Sequence, residues 1–516
     1  MALSKPPLYG AIHLGASSMS ITIVEYTTID EVKIIDYASR DVNFGEELFH
    51  SKRLSFQTIE EICRLLKGYK RMLDEYGVTD YTVYATAVVR EAENRRSIMD
   101  QIFVQTGFKV EVVDMPKEIY YKYFGLYYHM MKQGLTKTKD AAFFIDITSG
   151  GVGLTVWQKG TLVFQENVHL GTLRVMESFN RNQRSSLSFP AAVGEYLHSM
   201  LQPLEEEVRR FNVKYFVLSG DEPREIANLM GFETHGQETM SLLPQQFEDF
   251  VDTFHGVTAT KLVNRYGIPE YRANILMPTI VLYSELLKMV RPQSLLISPY
   301  GFAEGVIVYK GAELENNHFL EVMREQNLQL ARAIARSYQV DETHIAQVER
   351  FAVQLCRHLV DFGINERMIF VLRTAIILSE VGKFVSLRNH SEHAYRIIMG
   401  TDLFGLSDRE KEVVANVVFY HYKGKPDDDD ENFRYLKEVQ KIWVSKFVAV
   451  LRCMRALDVS HKLKVSKLAI ERNDKRIVVK ATTKQDLSLE KWTFEREAEY
   501  FSEVFGLEMV LRIGGK

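Results

Sequence analysis

One pattern occurs twice in this chain and restricts its fold more than anything else in the sequence: a strand, a small-residue turn, a return strand and a third strand. The first copy is apolar over residues 9–14 and breaks at Gly15-Ala16-Ser17-Ser18. It returns over residues 20–25 with alternating polar and apolar side chains and adds a third strand over residues 32–36. The second copy opens with Ala142-Phe-Phe-Ile-Asp146-Ile, turns at Thr148-Ser149-Gly150-Gly151, and returns over residues 152–157. Gln158-Lys159-Gly160 then turns it into a strand over residues 161–166. Helices and further strands follow each copy. After the first, Ile59, Ile62, Leu66, Tyr69 and Leu73 recur at three- and four-residue spacing, with Thr58 and Glu61 spaced as a capping box. Repetition of so specific an order predicts a duplicated α/β fold, with the two turns facing one another across a cleft.

Turns of serine and glycine suit phosphate. Without bulky Cβ groups the backbone approaches an anion, and successive N–H groups point at it. Gly15, Ser17 and Ser18 in the first turn, and Thr148, Ser149, Gly150 and Gly151 in the second, are the candidate phosphate cradle. Asp146, at the end of its strand, is placed to anchor a divalent cation beside the phosphates. Residues 85–94, Ala-Thr-Ala-Val-Val-Arg-Glu-Ala-Glu-Asn, end a strand on small residues and begin a helix. Arg90 there can either fork onto a phosphate or pair with Glu91 or Glu93. Glu118 follows Pro116 at the start of another helix, where it serves either as a general base for water or as a complement to the helix dipole. A strand over residues 217–219 ends in a small turn at Ser219 and Gly220, which joins the candidate cradle.

From about Glu313 onward the periodicity is helical, over residues 351–360, 368–379 and 409–421. The run Pro426-Asp-Asp-Asp-Asp-Glu431 reads as a solvated loop. A hairpin over residues 466–480, a helix over 490–505 and a strand over 507–513 close the chain as a small α+β module. The expected boundaries are 1–126 and 127–312 for the duplicated lobes, 313–452 for the helical domain and 453–516 for the closing module. No run of eighteen apolar residues occurs, and the three cysteines, Cys63, Cys356 and Cys453, lie far apart. The expectation is a cytoplasmic chain that does not span a membrane. A net charge of −4 argues against a nucleic-acid-coating protein but leaves room for a local basic channel.

The order and spacing of these segments resemble the exopolyphosphatase / guanosine-pentaphosphate phosphohydrolase (Ppx/GppA) family, a branch of the actin–hexokinase–Hsp70 (ASKHA, ribonuclease-H-like) fold. Residues 85–94 carry the most specific similarity. Residues 111–120, 145–150, 169–174 and 301–305 resemble further family segments, and residues 378–383, 390–395 and 418–421 resemble an HD-type helical domain. The resemblance covers nearly the whole chain. It implies a duplicated actin-like fold, an all-α HD-like domain and a small α+β module. It also implies a homodimer and Mg²⁺- or Mn²⁺-dependent release of orthophosphate from inorganic polyphosphate, with guanosine pentaphosphate or tetraphosphate as a second ligand. Glu118 and Asp146 take the catalytic roles in that reading, and Asp146 the metal.

The resemblance breaks at positions that matter. His13 stands where the family has Asp, Gly153 where it has Glu, and Ala303 where it has Arg. Residues 114–118 keep only the last of three carboxylates, and Ser379-Glu380 replaces the His-Asp pair of an HD domain. His13 is a poor ligand for Mg²⁺, which prefers oxygen. His358, His390, His393 and His421 remain as an alternative metal set if they converge, and Lys383, Arg388, Arg396, Lys423, Lys425 and Arg455 as a basic track. Two functions follow as expectations: an exopolyphosphatase, or a polyphosphate- or alarmone-binding regulator that has lost hydrolysis.

Overall fold

The computed structural model describes residues 7–137, 139–232, 239–254, 257–315 and 317–514. The chain divides into two compact units, meeting in sequence between Met323 and Arg324.

The first unit contains two sheets of matching order. In the first, β1 (Leu8–Leu14), β2 (Ser18–Thr28) and β3 (Glu31–Asp41) form an antiparallel meander, and β4 (Asp80–Ala85) and β5 (Val110–Val112) add in parallel beside β1. In the second, β6 (Ala141–Ile147), β7 (Val152–Gln158) and β8 (Thr161–Val168) repeat the meander. Parallel β9 (Val213–Ser219) and β11 (Ser294–Ser298) then add beside β6, with β10 (Met240–Leu242) at the edge. The duplication expected from the two hairpins is therefore present in the strand order. β6 is buried at every position, as its unbroken apolar run requires of a strand covered on both faces. The tight turn between β7 and β8 carries Lys159 and Gly160, both at positive φ, the conformation a two-residue hairpin demands.

The amphipathic helix Phe56–Tyr76 packs Ile59, Ile62, Leu66, Tyr69 and Leu73 on the first sheet, but its N-cap is Ser55, whose hydroxyl accepts the Thr58 N–H. Thr58 is engaged elsewhere, donating its hydroxyl to Glu47, so the capping box at Thr58 and Glu61 does not form. Helix Met115–Lys132 runs through residue 126, so the expected lobe boundary falls inside a continuous helix. That helix meets helix Phe302–Glu315 at two glycines. A Cβ on Gly125 would lie 2.7 Å from Gly305 Cα, and one on Gly305 would lie 2.1 Å from the Tyr121 carbonyl oxygen. Close backbone approach is what the glycine-rich 301–305 segment supplies. Helix Glu270–Val290 has the length and hydropathy of a membrane span, yet 83% of the relevant window is buried, with Leu276, Met277, Ile280 and Leu286 in the core of the second sheet.

In the second unit, helices Glu342–Cys356, Glu366–Ile377, Asp408–Tyr420 and Glu438–Ala456 share one hydrophobic core with β12 (Lys467–Arg472), β13 (Arg476–Thr482), helix Ser488–Phe505 and β14 (Glu508–Gly514). Phe351, Phe447 and Phe494 belong to the same cluster, so the closing module expected at 453 has no core of its own.

Candidate active site

The candidate site is assembled by backbone before any side chain acts. In the first turn Gly15 N–H donates to Ser18 O, while Ala16 O accepts from Gly45 N–H and Ser17 O from Val42 N–H. In the second, Thr148 N–H donates to Gly151 O and Gly151 N–H to Thr148 Oγ1, while Thr148 O and Ser149 O accept from Thr172 and Leu173. In both turns it is largely the carbonyls that are taken. The bonds inside the second turn engage the N–H groups of Thr148 and Gly151 and leave those of Ser149 and Gly150 to other partners, the polarity an anion cradle requires.

The turns are tied to one another. Leu173, which caps Ser149 O, packs against Gly45, which caps Ala16 O. Thr86 N–H donates to Leu14 O, and the short helix Ala87–Arg90 that follows carries Arg90 to Gly150, where an added Cβ would lie 3.6 Å from Arg90 Nη2. Residues of the two repeats thus border the same place. Ser219 and Gly220 lie at the end of β9, whose Leu218 pairs with Ile145 beside Asp146.

Gly171 seals the second turn. A Cβ there would sit 2.3 Å from Gly151 N, 2.4 Å from Gly150 C and 2.4 Å from Ser149 O, all backbone atoms with little freedom to move. Gly171→Ala is therefore expected to open the turn and to destabilise the protein by about 3 kcal/mol, the upper end of ordinary overpacking. Urea unfolding of the variant measures this, and an unchanged midpoint would contradict the packing described.

Six charged side chains converge at the turns. Arg90 Nη1 donates to Glu118 Oε2 at 2.8 Å and to Val113 O at 2.9 Å, and Arg90 Nε to Glu91 Oε1 at 3.2 Å. Glu91 in turn accepts from Arg174 Nη2 at 2.9 Å. Lys122, one helical turn beyond Glu118, places Nζ 2.9 Å from Asp146 Oδ1 and 4.0 Å from Glu118 Oε1. Three atoms in this set are buried without a hydrogen-bond partner among the described residues, Arg90 Nη2, Arg174 Nε and Asp146 Oδ2. They mark where a further group can be received.

Burial pushes the Asp146 carboxyl up to about 6; Lys122 opposes the shift, and Glu118 and Glu222 add to it. Burial acts upward on Glu118 as well, but Arg90 and then Lys122 outweigh it and hold that carboxyl below the ordinary range. His13 is pushed down to about 4, by burial first and Lys122 second, against the pull of Glu118. It is thus a neutral imidazole at pH 7, with Nε2 3.1 Å from Thr86 Oγ1 and its ring 4.7 Å from that of Phe302.

Of the residues singled out from sequence, Arg90, Glu118, Asp146, Thr148, Ser149, Gly150 and Gly151 are brought together. Gly15, Ser17 and Ser18 border them through Thr86 and Leu173, and Ser219 and Gly220 through the β6–β9 pair. Of the alternatives left open, Arg90 pairs with Glu91 and also with the buried Glu118, while Glu93 instead pairs with Arg53. Lys122, Arg174 and Gly171 were not singled out. For Lys122 a signal existed, its place four residues after Glu118 on one helix face.

The donor set does not fit a divalent cation at Asp146. The position between the two carboxylates is held by the Lys122 ammonium, and Arg90 balances the second carboxylate. A magnesium ion on the remaining Asp146 oxygen would lie beside that ammonium in a buried site, where like charges repel strongly. His13 and Gly153 supply no oxygen ligand to offset this.

A family model described as "Ppx/GppA phosphatase family" matches residues 22–313, and one for "Ppx/GppA phosphatase, domain III" matches residues 328–502. A guanosine-5′-triphosphate,3′-diphosphate pyrophosphatase of Aeromonas hydrophila is 20% identical over 416 residues, covering 80% of each chain. A bifunctional 3-dehydroquinate synthase/phosphatase of Fusobacterium nucleatum is 20% identical over 316 residues. The match takes in 58% of this chain but only 46% of that longer protein. Among solved structures, an exopolyphosphatase from Cytophaga hutchinsonii superposes with a TM-score of 0.51 at 19% identity, over 60% of this chain and 99% of the other. A Ppx-GppA enzyme from Aquifex aeolicus gives 0.50 at 21% identity, over 59% and 99%. The duplicated sheets, the glycine turns and the buried Arg90–Glu118 pair thus sit in a chain that belongs to the Ppx/GppA phosphatase family.

Proposed function

We propose that the cleft beside Gly150 binds the phosphate chain of inorganic polyphosphate or of guanosine penta- and tetraphosphate, and that this chain acts as a binding, regulatory member of its family with little hydrolytic turnover. The observation that carries the reading is the Lys122 ammonium between Glu118 and Asp146. Phosphoanhydride hydrolysis in folds of this kind relies on a metal to neutralise developing charge and on a base to orient water. Here the charge is neutralised internally, and the base candidate, Glu118, is buried and engaged with Arg90. The groups that recognise phosphate remain: two turns with engaged carbonyls, Arg90 with a free Nη2, and Arg174 nearby. The Aeromonas relative's name, a pyrophosphatase of guanosine pentaphosphate, supports the ligand class.

Exopolyphosphatase activity is the second reading, favoured by the unpartnered Asp146 Oδ2 and by the survival of both carboxylates. One comparison separates the two. Long-chain polyphosphate is expected to bind the wild type and to bind at least 100-fold more weakly to Gly150→Val, in which a branched side chain meets the Arg90 guanidinium. Orthophosphate release in Mg²⁺ or Mn²⁺ is expected to equal that of Glu118→Gln. Release far above that variant establishes the enzyme reading instead, and absence of polyphosphate and guanosine-pentaphosphate binding removes both.

A further inference from the structure

The cleft already contains an anion of its own, and that anion is bound incompletely. Glu91 follows the short helix Ala87–Arg90, and its carboxylate lies between two guanidinium groups. Arg90 Nε donates to Glu91 Oε1 at 3.2 Å, and Arg174 Nη2 donates to Glu91 Oε2 at 2.9 Å. Arg90 belongs to the first repeat and Arg174 to helix Thr172–Glu177 of the second, so the carboxylate bridges the two. It sits at the second glycine turn. A Cβ on Gly150 would lie 3.5 Å from Glu91 Oε1 and 3.6 Å from Arg90 Nη2.

How the two arginines are used points to a ligand. The Nε and Nη2 groups of a guanidinium share one edge, which forks onto two oxygens of a single anion. Arg90 commits Nε to Glu91 and leaves Nη2 buried without a partner among the described residues. Arg174 commits Nη2 and leaves Nε in the same condition. Two forks therefore meet the carboxylate, and each is half filled. A carboxylate has only two oxygens in one plane, and here each is taken by one arginine. A phosphoryl group has three oxygens in a tetrahedral arrangement and carries more charge, so it can engage both N–H groups of both forks. Buried donors without acceptors are costly, and the larger anion removes that cost where the carboxylate does not.

We propose, on the phosphate reading of the cleft, that Glu91 is a resident anion in the position of a ligand's phosphoryl group, and that Arg90 and Arg174 bind that group once Glu91 swings away. Glu91 is free to leave: its side chain is 26% exposed, and the two arginines are its only side-chain partners among the described residues. Arg90 keeps its place when it does, because Nη1, outside the forked edge, is held by Glu118 and by Val113 O. A carboxylate tethered beside the forks competes at high effective concentration. The ligand must displace it, so the affinity is lower than the two arginines alone would give.

The test is calorimetric titration of the full chain with inorganic tripolyphosphate. Glu91→Gln is expected to bind at least 10-fold more tightly than the wild type. Glu91→Asp keeps the charge but shortens the arm, so it no longer spans the two arginines. It is expected to gain about 3- to 10-fold, whereas an effect of net charge alone predicts no change, and it serves if Glu91→Gln folds poorly. Glu93→Gln removes a carboxylate that pairs with Arg53 instead, and is expected to leave the affinity unchanged. Arg174→Gln is expected to weaken binding at least 10-fold, although it frees Glu91 from one partner. With tripolyphosphate binding intact, the proposal is overturned if both Glu91 variants bind as the wild type does, if Glu93→Gln gains as much as Glu91→Gln, or if Arg174→Gln changes nothing. If neither the wild type nor any variant binds tripolyphosphate, the phosphate reading itself fails, and the resident anion with it.

Discussion

Lys122→Met is expected to destabilise the protein by about 3–5 kcal/mol and to make its stability depend on Mg²⁺ or Mn²⁺, which the wild type's does not. The side chain keeps most of its length and loses its terminal ammonium. Asp146 and Glu118 are then left facing one another in a buried site, with Arg90 the remaining cation. Removing one partner of a buried ion pair costs that much because the other charge stays desolvated and uncompensated. A divalent ion could now enter the vacated position without meeting an ammonium, and binding to the folded state alone adds stability by mass action, about 2.7 kcal/mol at a hundredfold excess over Kd. Urea unfolding of both proteins with and without Mn²⁺ measures this. Equal metal stabilisation of wild type and variant would mean that the lysine does not occupy the cation's place.

That expectation shows which parts of the molecule were readable in advance. The duplicated meander was legible because β-strands between glycine turns write their period directly into the sequence, and both hairpins form where the pattern put them. The second turn was legible for the same reason: Thr148 to Gly151 form a tight turn, closed by Thr148 N–H to Gly151 O. Lys122 escaped notice because recognition proceeds through expected carboxylates, whereas its role comes from proximity to Asp146, a residue on a strand of the other repeat. Gly171 escaped because its requirement is set by the backbone of a turn it merely lies against. The expected line at residue 126 failed on continuity, since an amphipathic helix carries no mark where it passes from one sheet to another.

Restoring the family's glutamate at Gly153 is expected to harm this protein rather than repair it, with Gly153→Glu destabilised by more than about 3 kcal/mol. A Cβ at that position would lie 2.7 Å from Ile119 Cγ2 and 2.9 Å from its Cδ1, and Ile119 is itself buried on helix Met115–Lys132. The space a longer side chain needs has been filled by the partner helix, so overpacking is added to the cost of burying a charge. Gly153 also pairs with Asp146 across β6 and β7, and side chains of such a pair share one face. The new carboxylate would therefore become a third negative group beside Lys122 and Arg90, whose charges are already committed. Ile119→Ala in the same chain is expected to relieve the overlap but not the charge, and Mn²⁺ should then raise the unfolding midpoint of the double variant and not that of the wild type. A single Gly153→Glu variant as stable as the wild type would show that Ile119 yields easily. Otherwise Gly153 is held small from two sides, by Ile119 packed against it and by the internally neutralised charges of Lys122 and Asp146 beside it.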